Sequence, residues 1–289
     1  MKIAVQLFGH LRDFELCAPS LHKHLLAHYD CDVFIHTWDM TEHQTPTWHT
    51  VTAPCRPTNT TDINRLYHPK ALKIEHQPSG SAQEILCYSQ GKDATISAVG
   101  IKFMLHSQIA SNRLRQEYQQ KHSQKYDYVI LCRPDIFFKQ DFVLEDYLPL
   151  LKISNFPPAR YTCALTEGTH CHIMGDMVSD AFYMAVPEVM DSIMQTLQTL
   201  KFPHAFWNPE TFIMSALAHA HIQTYCLNFP YQKKWELCRT LKHKPFSFRL
   251  KKNLFYLHLF GQLPFSILEF NCLLLKSFRL EIHLGAKLD

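Results

Sequence analysis

YDYVILCRPDIFF, residues 126–138, is an apolar run that stops at a proline, with an arginine before it and an aspartate after it. The continuous apolar stretch 129–132 is typical of a strand covered on both faces. Pro134 has no N–H group to donate, so it ends the strand. Ligands of open α/β sheets bind in the crevice beyond the carboxyl ends of the strands. We therefore predict that Arg133 and Asp135 face such a crevice, the alternative being a surface ion pair at a strand end.

Two earlier strands are predicted to end at the same edge. Residues 3–7 alternate in the manner of a strand and lead into a turn that Gly9 permits. Residues 33–35, within CDVFIHTWD, form a second strand that is followed by polar and aromatic residues. Arg12 is suited to holding phosphate, because a guanidinium matches the geometry of phosphate oxygens. The predicted ligand-binding residues are Gly9, His10, Arg12, Trp38, Asp39, Arg133 and Asp135.

The length and composition fit one large α/β domain with an appendage. The 289 residues are 46% hydrophobic, which is enough apolar content to bury a full core. Strand and helix patterns alternate along the chain, which favours a Rossmann-type mixed sheet flanked by helices. We predict a ligand-binding domain over residues 1–230 and a basic, apolar C-terminal helical segment over residues 231–289.

Proline marks the first turn of several predicted helices. Helices are predicted over 187–200 and 209–220, and another from Pro19 to Tyr29. A longer helix over 93–121 precedes the strand that decides the fold. Further extended segments are predicted at 71–75, 160–165, 181–186 and 222–227, and a long loop over the crevice at 41–64.

The C-terminal segment carries an excess of positive charge. Residues 231–289 hold 11 Lys and Arg against 4 Asp and Glu, whereas the rest of the chain is slightly acidic. The aromatic and leucine content of residues 254–275 favours an anionic membrane surface over nucleic acid. The polar residues in that stretch argue against a spanning helix. The alternative is an ordinary appendage that packs on the main domain.

Cysteine and histidine spacing argues against several common sites. The ten cysteines include no C-x-x-C pair and no secretory signal begins the sequence, so we predict a reducing, cytoplasmic environment. Nineteen histidines include close pairs such as His22 and His24, but no H-E-x-x-H motif, so we interpret them as scattered rather than as a zinc site. P-loop, G-x-G-x-x-G and G-x-S-x-G motifs are also missing, which argues against kinases, dehydrogenases and serine hydrolases.

The charged residues predicted at the crevice suit the transfer of a sugar from a nucleotide diphosphate. The leaving group needs a cation or fixed positive charge, and a carboxylate near the acceptor hydroxyl can act as a base. Asp135 is predicted to hold a divalent cation, manganese or magnesium, with Arg133 or Arg12 adding charge. A helix dipole is predicted to keep Glu210 ionised. The candidate catalytic carboxylates are Asp176, Asp180 and Glu210.

Three segments together carry a resemblance to a known group. Gly-His-Leu-Arg after the first strand, DVFIHTW and YDYVILCRPDIFF resemble bacterial glycosyltransferases of lipopolysaccharide, lipooligosaccharide or capsule assembly, which have the GT-A architecture. The resemblance implies nucleotide-sugar binding and a carboxylate motif, usually Asp-x-Asp, after a central strand. Here the motif reads Arg133-Pro134-Asp135, so either one carboxylate binds metal weakly or Arg133 does part of its work. The literal Asp30-Cys31-Asp32 precedes its strand and is predicted at the opposite edge.

The resulting hypothesis is a cytoplasmic glycosyltransferase whose acceptor is a lipid-linked or oligosaccharide glycan of the cell surface. Its basic tail is expected to rest on the inner membrane, and nucleic acid is not an expected partner. One alternative is a non-catalytic membrane-peripheral or nucleic-acid-binding protein in which the tail is the working part. The other is a metal-dependent phosphoester hydrolase that uses Asp39, Asp135 and nearby histidines.

Overall fold

The structure is a computed structural model, in which the chain divides into two units, Met1–Arg239 and Thr240–Asp289. The second unit lies outside the described residues, so the predicted membrane-facing tail stays a prediction. The structure describes residues 1–42, 55–77, 98–147, 162–167, 178–199, 209–227 and 229–238.

Strands and helices alternate along the first unit. The strands are β1 Lys2–Phe8, β2 Asp30–Trp38, β3 Ala71–Glu75, β4 Tyr128–Cys132, β5 Ile136–Phe138, β6 Thr162–Glu167, β7 Val178–Ala185, β8 Gln223–Leu227 and β9 Trp235–Leu237. The helices are α1 Phe14–His24, α2 Thr60–Tyr67, α3 Ala98–His122, α4 Pro187–Thr199 and α5 Pro209–His219.

Seven of these strands form one mixed sheet in the order β3-β2-β1-β4-β7-β6-β8. Neighbours pair in parallel except at β7, which runs antiparallel to both β4 and β6. Parallel neighbours are joined through helices, because a parallel connection must cross back over the sheet. The predicted α/β class with a mixed sheet flanked by helices is therefore confirmed.

Side chains of the central strands feed two apolar cores, one on each face of the sheet. In β1, Ile3, Val5 and Leu7 pack with α1 and α2, whereas Ala4 and Phe8 face α3 and the two later helices. In β4, Ile130 and Cys132 enter the first core and Val129 and Leu131 the second. The continuous apolar run of β4 thus arises because helices cover both of its faces.

Helix α1 begins earlier than the sequence predicted. It starts at Phe14 and contains Pro19, which was expected to open it. Proline cannot donate to the carbonyl one turn back, but the buried start of the helix compensates: Phe14, Cys17 and Ala18 pack into the first core. Tertiary packing here outweighs the local preference of proline for the first turn.

The first unit extends past the predicted boundary at residue 230. Strand β9 pairs antiparallel with β5, and Trp235 is 1% exposed in the first core. The indole N–H of Trp235 donates to the carbonyl of Phe229 at 2.9 Å. Residues 231–238 therefore belong to the folded body. Within the described part of the chain, no helix combines the length and apolar character needed to cross a membrane.

Candidate functional site

Four parallel strands, β1 to β4, end at one edge of the sheet, and the antiparallel β7 begins there. The predicted residues that follow β1, β2 and β4 are therefore brought to one edge, as the sequence indicated. The backbone N–H of Arg133 donates to the carbonyl of Ala181 at 3.1 Å, which places the start of β7 beside the end of β4.

A buried cluster of four charged residues lies at this edge. Arg133 donates from Nε to Oδ1 of Asp135 at 2.8 Å and from Nη2 to Oδ2 at 2.6 Å. Arg12 donates from Nη1 to Oδ2 of Asp135 at 3.1 Å and from Nε to Glu42 at 2.7 Å. Burial by itself lowers the pKa of Arg133, but the nearby carboxylates, Asp135 first, outweigh it and raise that pKa above its ordinary value. Arg133 is therefore held charged, and the hydrogen bonds orient both arginines.

The position of Asp135 revises its predicted role. It lies at the expected edge, but its carboxylate is 0% exposed and both of its oxygens accept from guanidinium groups. A divalent cation would have to displace charge-assisted hydrogen bonds, which are among the strongest in proteins. We therefore assign Asp135 to orienting Arg12 and Arg133 rather than to direct metal ligation.

The loop between β1 and α1 is held in an unusual backbone conformation. Gly9 has φ 90° and Arg12 has φ 48°, both in the left-handed region. The N–H of Arg12 donates to the carbonyl of Thr41 at 2.8 Å, and the N–H of Gly9 donates to Oγ of Ser107 at 2.6 Å. These contacts, together with the ion pairs of Arg12, stabilise a conformation that L-residues otherwise avoid.

Replacing Gly9 by alanine is expected to lower the free energy of unfolding by about 1–2 kcal/mol. A Cβ atom at this position would meet nothing within 4 Å, so the cost arises from the backbone conformation alone. Urea unfolding measures it. Gly100→Ala, in the first turn of α3, is the matched control and is expected to be neutral or stabilising, because alanine favours helices. Equal stability of Gly9→Ala and the wild type would contradict the prediction.

Two carboxylic acids interact near the start of β7. Asp180 is the third residue of β7 and acts electrostatically on Arg133, and Glu210 is in the first turn of α5. Burial raises the pKa of Glu210 to about 8, and the negative charge of Asp180 adds to that rise. The expectation that the helix dipole keeps Glu210 ionised is therefore corrected, because burial outweighs the dipole. Asp176, the third predicted carboxylate, lies outside the described residues.

An open pocket of about 620 Å³ adjoins this edge, at the ends of β2 and β3. Its walls include Trp38, Phe103 and His106, with Trp38 stacked on His106 at a centroid distance of 5.5 Å. Trp38 is 2% exposed, so the more accessible Phe103 offers the better surface for stacking a ligand. The ring centroids of His10 and Trp38 are 6.3 Å apart. His10 belongs to the loop after β1, so this loop lies next to a residue that lines the pocket.

Asp39 directly follows β2, and its hydrogen-bond partner His76 lines the pocket. Its carboxylate accepts from Nδ1 of His76 at 2.6 Å, and this hydrogen bond is the main reason that its pKa is lowered. The literal Asp-x-Asp lies at the opposite edge: Asp30 pairs in register with Lys2 at the amino ends of β2 and β1. The rejection of Asp30 and Asp32 as a ligand-binding motif agrees with this position.

Two histidines and a glutamate meet at the wall of the pocket. Oε2 of Glu75 lies 3.0 Å from Nε2 of His36 and 2.7 Å from Nε2 of His106. Burial lowers the pKa of His36 to about 4, against the opposing effect of Glu75, so this imidazole is neutral at pH 7. Burial raises the pKa of Glu75, but hydrogen bonds from Lys73, His106 and His36 outweigh it and lower the pKa to about 2.

No protein-family model matches this sequence, and no curated protein matches it. The interpretation of the site therefore depends on its own geometry.

Sequence reasoning missed three residues of this edge. Glu42, Ser107 and His106 were not singled out, because their partners lie 30, 98 and 31 residues away along the chain. His36 and Glu75 each follow or end a predicted strand, and convergence of parallel strand ends was the available signal for that pair. Nothing in the periodicity of α3 indicates which of its turns faces them.

Proposed function

We propose that this protein is a glycosyltransferase that moves a sugar from a nucleotide diphosphate donor to a cell-surface glycan acceptor. The observation that carries the proposal is the juxtaposition, at one sheet edge, of two oriented arginines with an acidic pair, next to an aromatic pocket. Each component answers one need of the reaction: fixed positive charge for the leaving diphosphate, a base for the acceptor, and a surface for the nucleobase.

Arg12 and Arg133 are proposed to stabilise the diphosphate. Positive charge fixed before the reaction stabilises the negative charge that develops on the leaving group, and it needs no reorganisation at that moment. Asp135 and Glu42 keep the two guanidinium groups in place through the hydrogen bonds described above. Gly9 and His10 would border the nucleotide, because both lie in the loop that carries Arg12.

Glu210 is proposed as the general base, with Asp180 as the partner that strengthens it. A carboxylate with a pKa raised to about 8 is a stronger proton acceptor than an ordinary glutamate once it has ionised. It would take the proton of the acceptor hydroxyl while the acceptor oxygen bonds to the anomeric carbon. The bond from that carbon to the diphosphate breaks, and the nucleoside diphosphate leaves with the electron pair.

The GT-A architecture and the lipopolysaccharide, lipooligosaccharide or capsule acceptor enter as analogy. A mixed sheet in which the parallel strands β1, β2 and β4 end at one edge supports a nucleotide-binding fold of this general kind, and many functions share such sheets. The analogy also carries the proposal that transfer takes place at the cytoplasmic surface of the inner membrane, with the tail from Thr240 onwards as the membrane-contacting part.

Binding of nucleotides tests the proposal directly. Calorimetric titration with UDP, GDP and CMP, with and without manganese, is expected to show one site per chain for UDP or GDP. Failure of both diphosphates to bind would contradict the proposal, and binding of CMP alone would contradict a diphosphate donor. Release of inorganic phosphate or a phosphomonoester without sugar transfer would instead favour the phosphoester hydrolase that uses Asp39 and nearby histidines.

Phe103→Ala is expected to weaken nucleotide binding by about tenfold, because stacking of one base on an aromatic ring contributes roughly 1–3 kcal/mol. The same titration measures the loss. Leu16→Ala is the control, since Leu16 is an exposed apolar residue of α1. If Phe103→Ala binds as tightly as the wild type, the nucleobase does not occupy this pocket.

A further inference from the structure

We propose that His36, Glu75 and His106 form a binding site for a divalent transition metal, with zinc as the best match. The site is distinct from the carboxylate predicted to hold a cation, because Asp135 belongs to the buried arginine cluster. The inference concerns metal binding alone and does not depend on the glycosyl-transfer proposal.

The three side chains converge from three different elements. His36 is in β2, Glu75 ends β3 and His106 is in α3, so the fold and not a local sequence motif assembles the group. Their ligand atoms all lie within 4.8 Å of one another. The distances from Glu75 Oε2 to the two Nε2 atoms, 3.0 and 2.7 Å, are close to the roughly 3.3 Å that separates two ligands of tetrahedral zinc.

The surroundings of His36 fix which of its nitrogens faces the metal. Its Nδ1 lies 2.7 Å from Oγ of Ser107, and that hydroxyl lies 3.2 Å from the carbonyl oxygen of His36. With the hydroxyl hydrogen of Ser107 on this carbonyl, its oxygen can accept from Nδ1–H of His36. In that tautomer Nε2 carries the lone pair that a metal ligand needs, and metal binding replaces the hydrogen bond from Nε2–H to Glu75 that the metal-free protein makes.

Glu75 is oriented in the same way. Lys73 donates to Oε1 of Glu75, which leaves Oε2 directed towards both imidazoles. Metal-binding carboxylates and histidines are commonly held by such outer hydrogen bonds, which set the geometry of the ligand atoms before the ion arrives. The cluster therefore has both the inner ligands and the outer supports of a metal site.

The ligand set favours zinc over magnesium or manganese. Imidazole nitrogens suit zinc, whereas magnesium and manganese prefer oxygen ligands. Two histidines and one glutamate leave a fourth tetrahedral position, as in zinc sites that bind water or a substrate. Glu75 and His106 both line the open pocket, so this position would face it and accept water or an anionic oxygen of a ligand.

Titration of tag-free, chelator-treated full-length protein with zinc chloride tests the site. Calorimetry is expected to show one saturable zinc per chain, and cobalt is expected to give the visible absorption of tetrahedral coordination. His106→Ala and Glu75→Gln are each expected to weaken zinc binding by at least about 100-fold, since even outer-shell changes cost 10- to 100-fold. His106 is 53% exposed, so its replacement should leave the fold intact, which circular dichroism checks.

His122→Ala is the matched control, because it removes an exposed imidazole from the same helix and leaves the cluster unchanged. The proposal requires this variant to bind zinc as tightly as the wild type. Equal zinc affinity in the wild type and His106→Ala would overturn the proposal. The lack of a saturable zinc site in the wild type would also overturn the proposal. It would show that both imidazoles donate Nε2–H to Glu75 in a metal-free hydrogen-bond network.

Discussion

Replacing Asp135 by alanine is expected to lower the free energy of unfolding by about 3–5 kcal/mol, because it leaves buried guanidinium groups without their shared partner. Asp135 is 0% exposed and accepts three hydrogen bonds from Arg12 and Arg133. Loss of activity in this variant would therefore come with loss of stability. Urea unfolding followed by circular dichroism measures the change.

Two further variants make this expectation specific. Asp135→Asn keeps the shape and one acceptor oxygen, so it should fall between alanine and the wild type. Asp30→Ala removes an exposed partner of Lys2, and an exposed ion pair is expected to contribute less than about 1 kcal/mol. A cost for Asp135→Ala no larger than that of Asp30→Ala would show that the arginines do not depend on the buried carboxylate.

Glu210→Gln is expected to lower the rate of sugar transfer by about 10²–10⁴-fold, the range that general acid–base catalysis contributes. The wild-type rate should rise with pH and level off above about pH 8, because the base acts only after Glu210 has lost its proton. The titration belongs to Glu210 and Asp180 together, so the measured value is that of the pair. The variant should lose this pH dependence.

The same substitution is expected to stabilise the protein at alkaline pH. The pKa of Glu210 rises from an ordinary 4.5 to about 8 on folding. Between these values the folded protein keeps a proton that the unfolded chain releases, so the free energy of unfolding falls as pH rises and levels off above 8. Above that pH, Glu210→Gln is expected to exceed the wild type by roughly 2 kcal/mol, after a discount for partial exposure.

Glu188→Gln is the control for both measurements. Glu188 follows a proline in the first turn of α4, just as Glu210 does in α5, but its side chain is exposed. This variant should keep the wild-type rate and pH profile. An unchanged transfer rate in Glu210→Gln would remove Glu210 from the reaction and leave Asp180 as the remaining described candidate.

Much of the fold follows from local sequence pattern. The strands β1 and β4 were predictable because their apolar residues must be covered, and α4 and α5 because proline opens their first turns. The sequence also predicted that four residues meet at one edge of the sheet, because the strands that they follow or end run parallel. These residues are Gly9, Arg12, Trp38 and Arg133. Helix α1 was misplaced, since burial of Phe14 outweighs the signal of Pro19.

The electrostatic state of the site was not predictable in the same way. Whether Asp135 contacts solvent depends on Arg12, which lies 123 residues away along the chain. The pKa of Glu210 depends on how deeply α5 is buried and on the position of Asp180. The meeting of His36 with His106 requires a particular turn of α3 to face β2. Such long-range distances are set by packing and leave no local signal in the sequence.

Strand β9 has a practical consequence for separating the tail from the body. Its Trp235 packs in the first core. Cys238 directly follows β9, and its N–H donates to the carbonyl of Asp135 at 2.9 Å. Removing the chain from residue 231 would thus disturb the arginine cluster along with the basic segment. A truncation that begins at Thr240 leaves these contacts in place and isolates what the tail alone contributes.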